Sequence, residues 1–179
     1  MNTYIALLRG VNVGGNRKIA MADLRAMLAG MGFSGVHTVL QSGNIVFRST
    51  QKPSAAMLES ETEKVLGLKT RYFLRTAKEW RAILDANPFS EMAKDDPSHL
   101  LVFLLDGKPS AAALKSLAGA IKGKEKIHGA GTHLYATFPD GIADSKLTNP
   151  LMDRQLGVIG TGRNWNTAAK LAALAEGMT

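Results

Sequence analysis

The chain has 179 residues, 45% hydrophobic, 21% charged and 6% aromatic, enough apolar content for a buried core in one domain or two small ones, and too much for a disordered or fibrous chain. Twenty-two Lys and Arg against fifteen Asp and Glu leave a formal charge of +7 and a pI near 9.8, which favours anionic partners such as nucleic acid, nucleotides or phosphorylated metabolites. The absence of cysteine excludes disulfides, thiolate nucleophiles and Cys-based metal sites, and suits a reducing, cytoplasmic setting.

Tyr4 to Leu8 is a short apolar run followed by Arg9 and a glycine-rich loop. It lacks the basic opening and the length of a secretory signal, and reads as part of a strand from about Thr3 to Val11. The longest apolar run, Leu100 to Leu105, falls far short of the roughly 20 residues a spanning helix needs, so no membrane partner is expected. Met21, Leu24, Met27 and Leu28 follow helical spacing and predict a helix from Met21, stopped by Gly30 and Gly32. Strands at Val36 to Leu40 and Ile45 to Arg48 are joined through Gln41-Ser42-Gly43-Asn44, a hairpin link. Pro53 opens a helix with Leu58, Thr62 and Val65 on one side, Gly67 closes it, and Lys69 to Arg75 reads as a strand. The order βαββαβ is that of a ferredoxin-like plait.

Thr76 and Glu79 form a capping box ahead of Trp80, Ile83 and Leu84, so a further helix follows at once. A polar, turn-rich stretch then separates Met1–Ser90, with twelve basic and six acidic residues, from a nearly neutral remainder. That remainder predicts a strand from His99 to Leu105, a helix from about Pro109, and a hairpin of Ile127-His128 against His133 to Phe138. Two closing helices follow, one capped by Asn149 with Pro150, the other by Asn164 or Asn166. The expected fold is therefore α+β: a ferredoxin-like plait, then a smaller, incomplete plait-like part and two C-terminal helices. In residue ranges this is a plait plus helix at 1–86, a linker at 87–98 and a second part at 99–179, packed with the first as one compact unit.

Several motifs dissolve on inspection. Gly30, Gly32 and Gly35 match a dinucleotide-binding string but follow a helix and precede a strand, the reverse of the required order. Gly10 and Gly15 have the gap of a phosphate-binding Walker loop, yet Asn16-Arg17 stands where Lys and Ser or Thr are needed. The weaker statement survives that Gly14 and Gly15, with Arg17 and Lys18, can cradle an anion before the first helix. His128 and His133 face each other across the expected hairpin, but two imidazoles make no metal site, and neither a metal nor a cofactor is implied. Ser42 and Ser145 lack the context of a known nucleophile, and Asp140 and Asp144 are explained by turn formation, so no reaction follows.

Two regions concentrate cations. Lys69, Arg71, Phe73 and Arg75 share one side of the fourth strand; with Tyr4 or Phe47 they suggest a basic sheet face of the kind that stacks single-stranded RNA, although the glycine-aromatic signature is absent. The densest polar cluster, Asp144 to Asn149 with Thr161 to Thr167, leads twice into a helix N-terminus, where free N–H groups attract anions, with Lys146, Arg163 and Lys170 beside them.

Leu8-Arg9-Gly10-Val11-Asn12-Val13-Gly14-Gly15, Gln41-Ser42-Gly43-Asn44, Ser145-Lys146-Leu147-Thr148-Asn149 and Arg163-Asn164-Trp165-Asn166-Thr167 together resemble a bacterial family known as domain of unknown function 1697, along nearly the whole chain. Ala20 and Pro150 are small departures from its pattern. The resemblance implies a small cytoplasmic α/β protein of plait-like parts and no established reaction. The ligand-binding expectation gathers Arg9, Asn12, Gly14, Gly15, Gln41, Ser42, Asn44, Ser145, Lys146, Arg163, Asn164, Trp165 and Asn166 into a polar cleft between the two parts, around a small phosphorylated or nucleotide-like ligand. The alternatives are nucleic acid on the face with Arg71 and Arg75, or a buried polar network that needs no ligand.

Overall fold

The computed structural model describes residues 1–15 and 17–178; Asn16, one of the two residues that break the Walker pattern, lies outside them. The chain divides into two compact units, Met1–Leu84 with the residues from Ala169 onward, and Asp85–Ala168. In chain order the first strands and helices are β1 (Asn2–Leu8), α1 (Met21–Gly30), β2 (Ser34–Val39), β3 (Asn44–Ser49), α2 (Ala55–Leu66), β4 (Tyr72–Thr76) and α3 (Ala77–Asp85). They form an antiparallel sheet in the order β2-β3-β1-β4, the plait expected from the sequence. One sheet face holds Tyr4, Ala6, Leu8, Ile45, Phe47 and Tyr72, packed with Met21, Leu24 and Leu28 of α1 and Leu58 of α2. The other carries Ile5, Leu7 and Val46, all without exposed surface.

Local signals place the ends of these elements. Ser54 caps α2 through the Met57 amide, and Gly67 ends it in the left-handed conformation. The capping box forms as expected: the Thr76 amide donates to Glu79 Oε2 at 2.7 Å and the Glu79 amide to Thr76 Oγ1 at 3.2 Å. Val65 departs from its predicted side and is 51% exposed.

The second half repeats the first element for element, after α4 (Ser90–Asp95) and a single 3-10 turn at Pro97–His99. It comprises β5 (Leu100–Leu105), α5 (Ala111–Ala120), β6 (Lys126–Ala130), β7 (His133–Thr137), α6 (Asn149–Leu156), β8 (Gly160–Asn164) and α7 (Trp165–Gly177). The sheet order, β6-β7-β5-β8, is that of the first. Its core collects Phe103, Leu105, Leu117, Leu134, Ala136, Phe138, Met152 and Leu156.

This plait is complete rather than partial, because Gly160-Thr161-Gly162-Arg163-Asn164, most of it read from sequence only as part of a polar cluster ahead of a helix, is the strand β8. Its glycines answer to packing. A Cβ at Gly162 would lie 2.5 Å from Phe103 Cε1 on the adjacent strand, so the large ring of β5 is matched by a missing side chain on β8. The short helix also starts differently: Thr148, not Asn149, is its cap, accepting from the Leu151 amide at 3.4 Å, with Asn149 already inside the helix. Asn164 does cap α7, accepting from the Thr167 amide at 3.0 Å. In the β6–β7 hairpin His128 pairs with Tyr135 and His133 with Ala130, so the two histidines are not opposite each other. Each instead packs on Tyr135, with ring centroids 6.2 and 5.4 Å away.

Candidate functional site

The loop from Arg9 to Lys18 departs from β1 through a run of left-handed residues: Gly10, Asn12, Gly14, Gly15 and Arg17 all have positive φ. Asn12 makes this possible, because a short amide side chain tolerates that conformation and bonds locally. Its Nδ2 donates to Ile19 O at 3.0 Å and to Gln41 O at 2.7 Å, and its Oδ1 accepts from the Ile19 amide at 2.9 Å. One side chain thus closes the loop on itself and fastens it to the β2–β3 turn. In that turn Asn44, fully buried, donates to Val39 O at 2.8 Å and to Ser42 Oγ at 2.9 Å. Asn12, Gln41, Ser42 and Asn44 are therefore brought together as sequence reasoning expected, with the amides of Asn12 and Asn44 engaged in holding the backbone.

A second set converges on the same loop. The Arg9 amide donates to Arg71 O at 3.0 Å, Thr70 Oγ1 donates to Arg9 O at 3.0 Å, and the Arg17 guanidinium donates to Lys69 O. The loop and the segment entering β4 are thereby joined, which sets the exposed Arg17 and Lys18 of the one beside the exposed Lys69 and Arg71 of the other. A carboxylate meets this group: Glu59 Oε1 lies 3.2 Å from Arg71 Nε and also accepts from the Tyr72 amide. The loop leads into α1, whose cap position, Ala20, offers no side-chain acceptor to the first helical amides. Lys69 was legible only as a strand residue; its place beside Arg17 follows from β1 and β4 being neighbours.

Arg71 and Arg75 do not share a strand face, since β4 begins at Tyr72. Arg75 is half-buried, its Nη1 donating to Leu74 O at 2.7 Å, and burial lowers its pKa against the opposing pull of Glu79. Its face carries Phe73, only 3% exposed.

The remaining expected residues belong to unit 2. Ser145 Oγ donates to Glu125 and accepts from the Leu147 amide at 3.1 Å, which shapes the turn ahead of α6. Lys146 and Asn166 are exposed, and Trp165 is half-buried at the start of α7. Arg163 occupies the position in β8 that Arg75 occupies in β4, one residue before the helix cap. Its Nη1 donates to Thr161 Oγ1 at 2.9 Å and Gly162 O at 2.8 Å, and burial pulls its guanidinium down to about 10. Arg163, Asn164 and Thr161 form one local constellation, whereas Ser145 is tied to Glu125. Sequence reasoning missed a groove in this unit, lined by Phe89, Glu91, Asp95, Lys124 and Lys126, because more than half of its residues come from the stretch read as a linker. Among the described residues no group of three or more His, Asp or Glu is placed to hold a metal ion, and no helix is long and apolar enough to cross a membrane.

Two antiparallel plaits of identical strand order, with polar loops at their ends, define the architecture that comparison with known proteins places. The chain belongs to the family described as protein of unknown function, DUF1697, which matches residues 1–135. Among solved structures it is similar to the conserved bacterial protein SP0830 from Streptococcus pneumoniae, with a TM-score of 0.70 and 22% identity over 97% of this chain and 98% of that one. At that identity the likeness speaks for the fold. No curated protein matches the chain.

Proposed function

We propose that unit 1 is an anion-binding module, taking a small phosphorylated or nucleotide-like ligand at the Arg9–Lys18 loop. The observation that carries this reading is that the loop, with its exposed Arg17 and Lys18, is bonded to the segment that carries the exposed Lys69 and Arg71, where Glu59 meets Arg71. Gly14 and Gly15 adopt successive left-handed conformations, which turn neighbouring amides the same way, and the uncapped N-terminus of α1 follows. Asn12 holds the loop in this shape before any ligand arrives, so binding does not have to order it.

The openness of this surface supports a second reading, a longer polyanion such as single-stranded nucleic acid, contacted through its phosphates. Titration of the whole protein with inorganic phosphate, AMP and a short single-stranded RNA, read by calorimetry at several salt concentrations, separates the two. For the small ligand, Arg17→Ala and Lys69→Ala each weaken AMP binding by about tenfold, with little salt dependence and no effect from Lys64→Ala, a solvated helix cation. For the polyanion, RNA binds more tightly than AMP, and each lost cation flattens the logarithmic salt slope by about 0.7. If neither variant changes the affinity of any of the three probes, the proposal fails.

A further inference from the structure

We propose that unit 2 carries a separate ligand site, for a zwitterion: a free amino acid or the termini of a short peptide. The groove beside β6 is open to solvent and offers about 490 Å³, room for a dipeptide-sized molecule. Its walls are oppositely charged. Glu91 and Asp95 stand one helical turn apart on α4, at positions that share a face. Lys126, the first residue of β6, and Lys124, in the bend just before it, line the facing side. Phe89 and Met92 supply apolar surface between these walls.

The charges are not satisfied by one another. Lys124 reaches outward to Asp140, 3.2 Å away in a pair largely exposed on both sides, while Glu91, Asp95 and Lys126 form no ion pair within 4 Å among the described residues. Two carboxylates at this spacing on a six-residue helix repel each other and weaken it slightly. A ligand ammonium placed between them relieves that repulsion, while a carboxylate at its other end meets Lys126. Neither a simple anion nor a simple cation satisfies both walls. The unit 1 loop has a different character, a cluster of cations, so the two sites select different chemistry.

The test uses the full-length protein labelled with ¹⁵N and the dipeptide Ala-Leu, with its N-acetylated and C-amidated forms, followed by amide chemical shifts. Saturable shifts are expected at Phe89, Met92 and Thr137 with the free dipeptide, with blocking of either terminus weakening binding by about tenfold. Glu91→Gln and Lys126→Met are each expected to weaken it by a similar factor while shifts elsewhere stay in place, since both side chains are exposed and make no hydrogen bond or ion pair among the described residues. Equal binding of the N-acetylated form would mean an anion site and overturn the proposal, as would equal binding of the amidated form, indifference to both substitutions, or no saturable shift at millimolar dipeptide.

Discussion

Replacing Gly43 by alanine tests how tightly the β2–β3 turn is built against the anion loop. Gly43 has φ of +76°, and an added Cβ would lie 2.7 Å from Leu8 Cβ and 2.8 Å from Val11 Cγ2. The first of these atoms is anchored directly to the β1 backbone, whose Leu8 amide donates to Gly43 O at 2.8 Å, so neither side can yield by a rotamer change alone. The left-handed conformation costs an alanine about 1–2 kcal/mol, and overpacking of a filled site adds about 1–3 kcal/mol. A loss near 3 kcal/mol follows, or about 6–12 °C in Tm for a chain of this size. Gly131 supplies the comparison: it is also left-handed, at φ of +58°, but nothing lies within 4 Å of its added Cβ. Gly131→Ala therefore carries only the conformational term, about 3–6 °C. Thermal unfolding of both variants, followed by circular dichroism, gives the comparison directly. Equal losses at the two positions would refute the argument, because they would leave no contribution from contact with Leu8 and Val11.

The remaining predictions concern single interactions. Asn44→Ala removes two part-buried hydrogen bonds, to the Val39 carbonyl and to Ser42 Oγ, an expected loss of about 1–2 kcal/mol in urea unfolding; if stability is unchanged, the turn is not held by this side chain. Thr148→Ala is expected to cost about 0.5–1 kcal/mol and Asn149→Ala clearly less, since Thr148 is the cap of α6, and the reverse order would restore Asn149 as the cap. The Glu79 carboxyl is held below its ordinary range chiefly by the Thr76 amide, with the Thr76 hydroxyl adding to the effect and burial opposing it. A depressed carboxylate stabilises the fold above its unfolded pKa and loses that contribution as pH falls through the folded value. Glu79→Gln should accordingly flatten the acid limb of the stability profile. Tyr72 and Tyr135 are both pushed up to about 12, chiefly by burial. For an acid kept neutral by folding, stability is intact below the unfolded value near 10 and falls as pH rises from there towards 12. Ultraviolet titration should show these two tyrosines ionising late, and Tyr72→Phe should lessen the alkaline loss while giving up the 2.8 Å bond to Thr62.

Much of the first plait was readable because its signals are local. The helical spacing of Met21, Leu24, Met27 and Leu28, the Thr76–Glu79 box and the glycine that closes α2 each act within a few residues, so chain order alone exposes them. The second plait was harder for the same reason in reverse. The residues of β8 have neither alternation nor β-branched bulk beyond Thr161, and become a strand because Phe103 needs the space left by Gly162. The candidate site divides in the same way: Asn12, Gln41, Ser42 and Asn44 were recognisable as a polar group, but that the amides of Asn12 and Asn44 bind backbone is a matter of geometry.

By itself the sequence determined the class of fold, the lack of thiol chemistry and the concentration of positive charge in the first half, all properties of composition, period and local capping, while its polar motifs carried the resemblance to the family. Tertiary structure decided what those residues do. Pairing of β1 with β4 brings Arg17 to the Lys69 carbonyl across more than fifty residues of chain, and the packing around α4 makes a two-sided groove from Phe89, Glu91 and Lys126. Both depend on which strands become neighbours, a choice governed by burial of the whole core and carried by no single stretch of sequence.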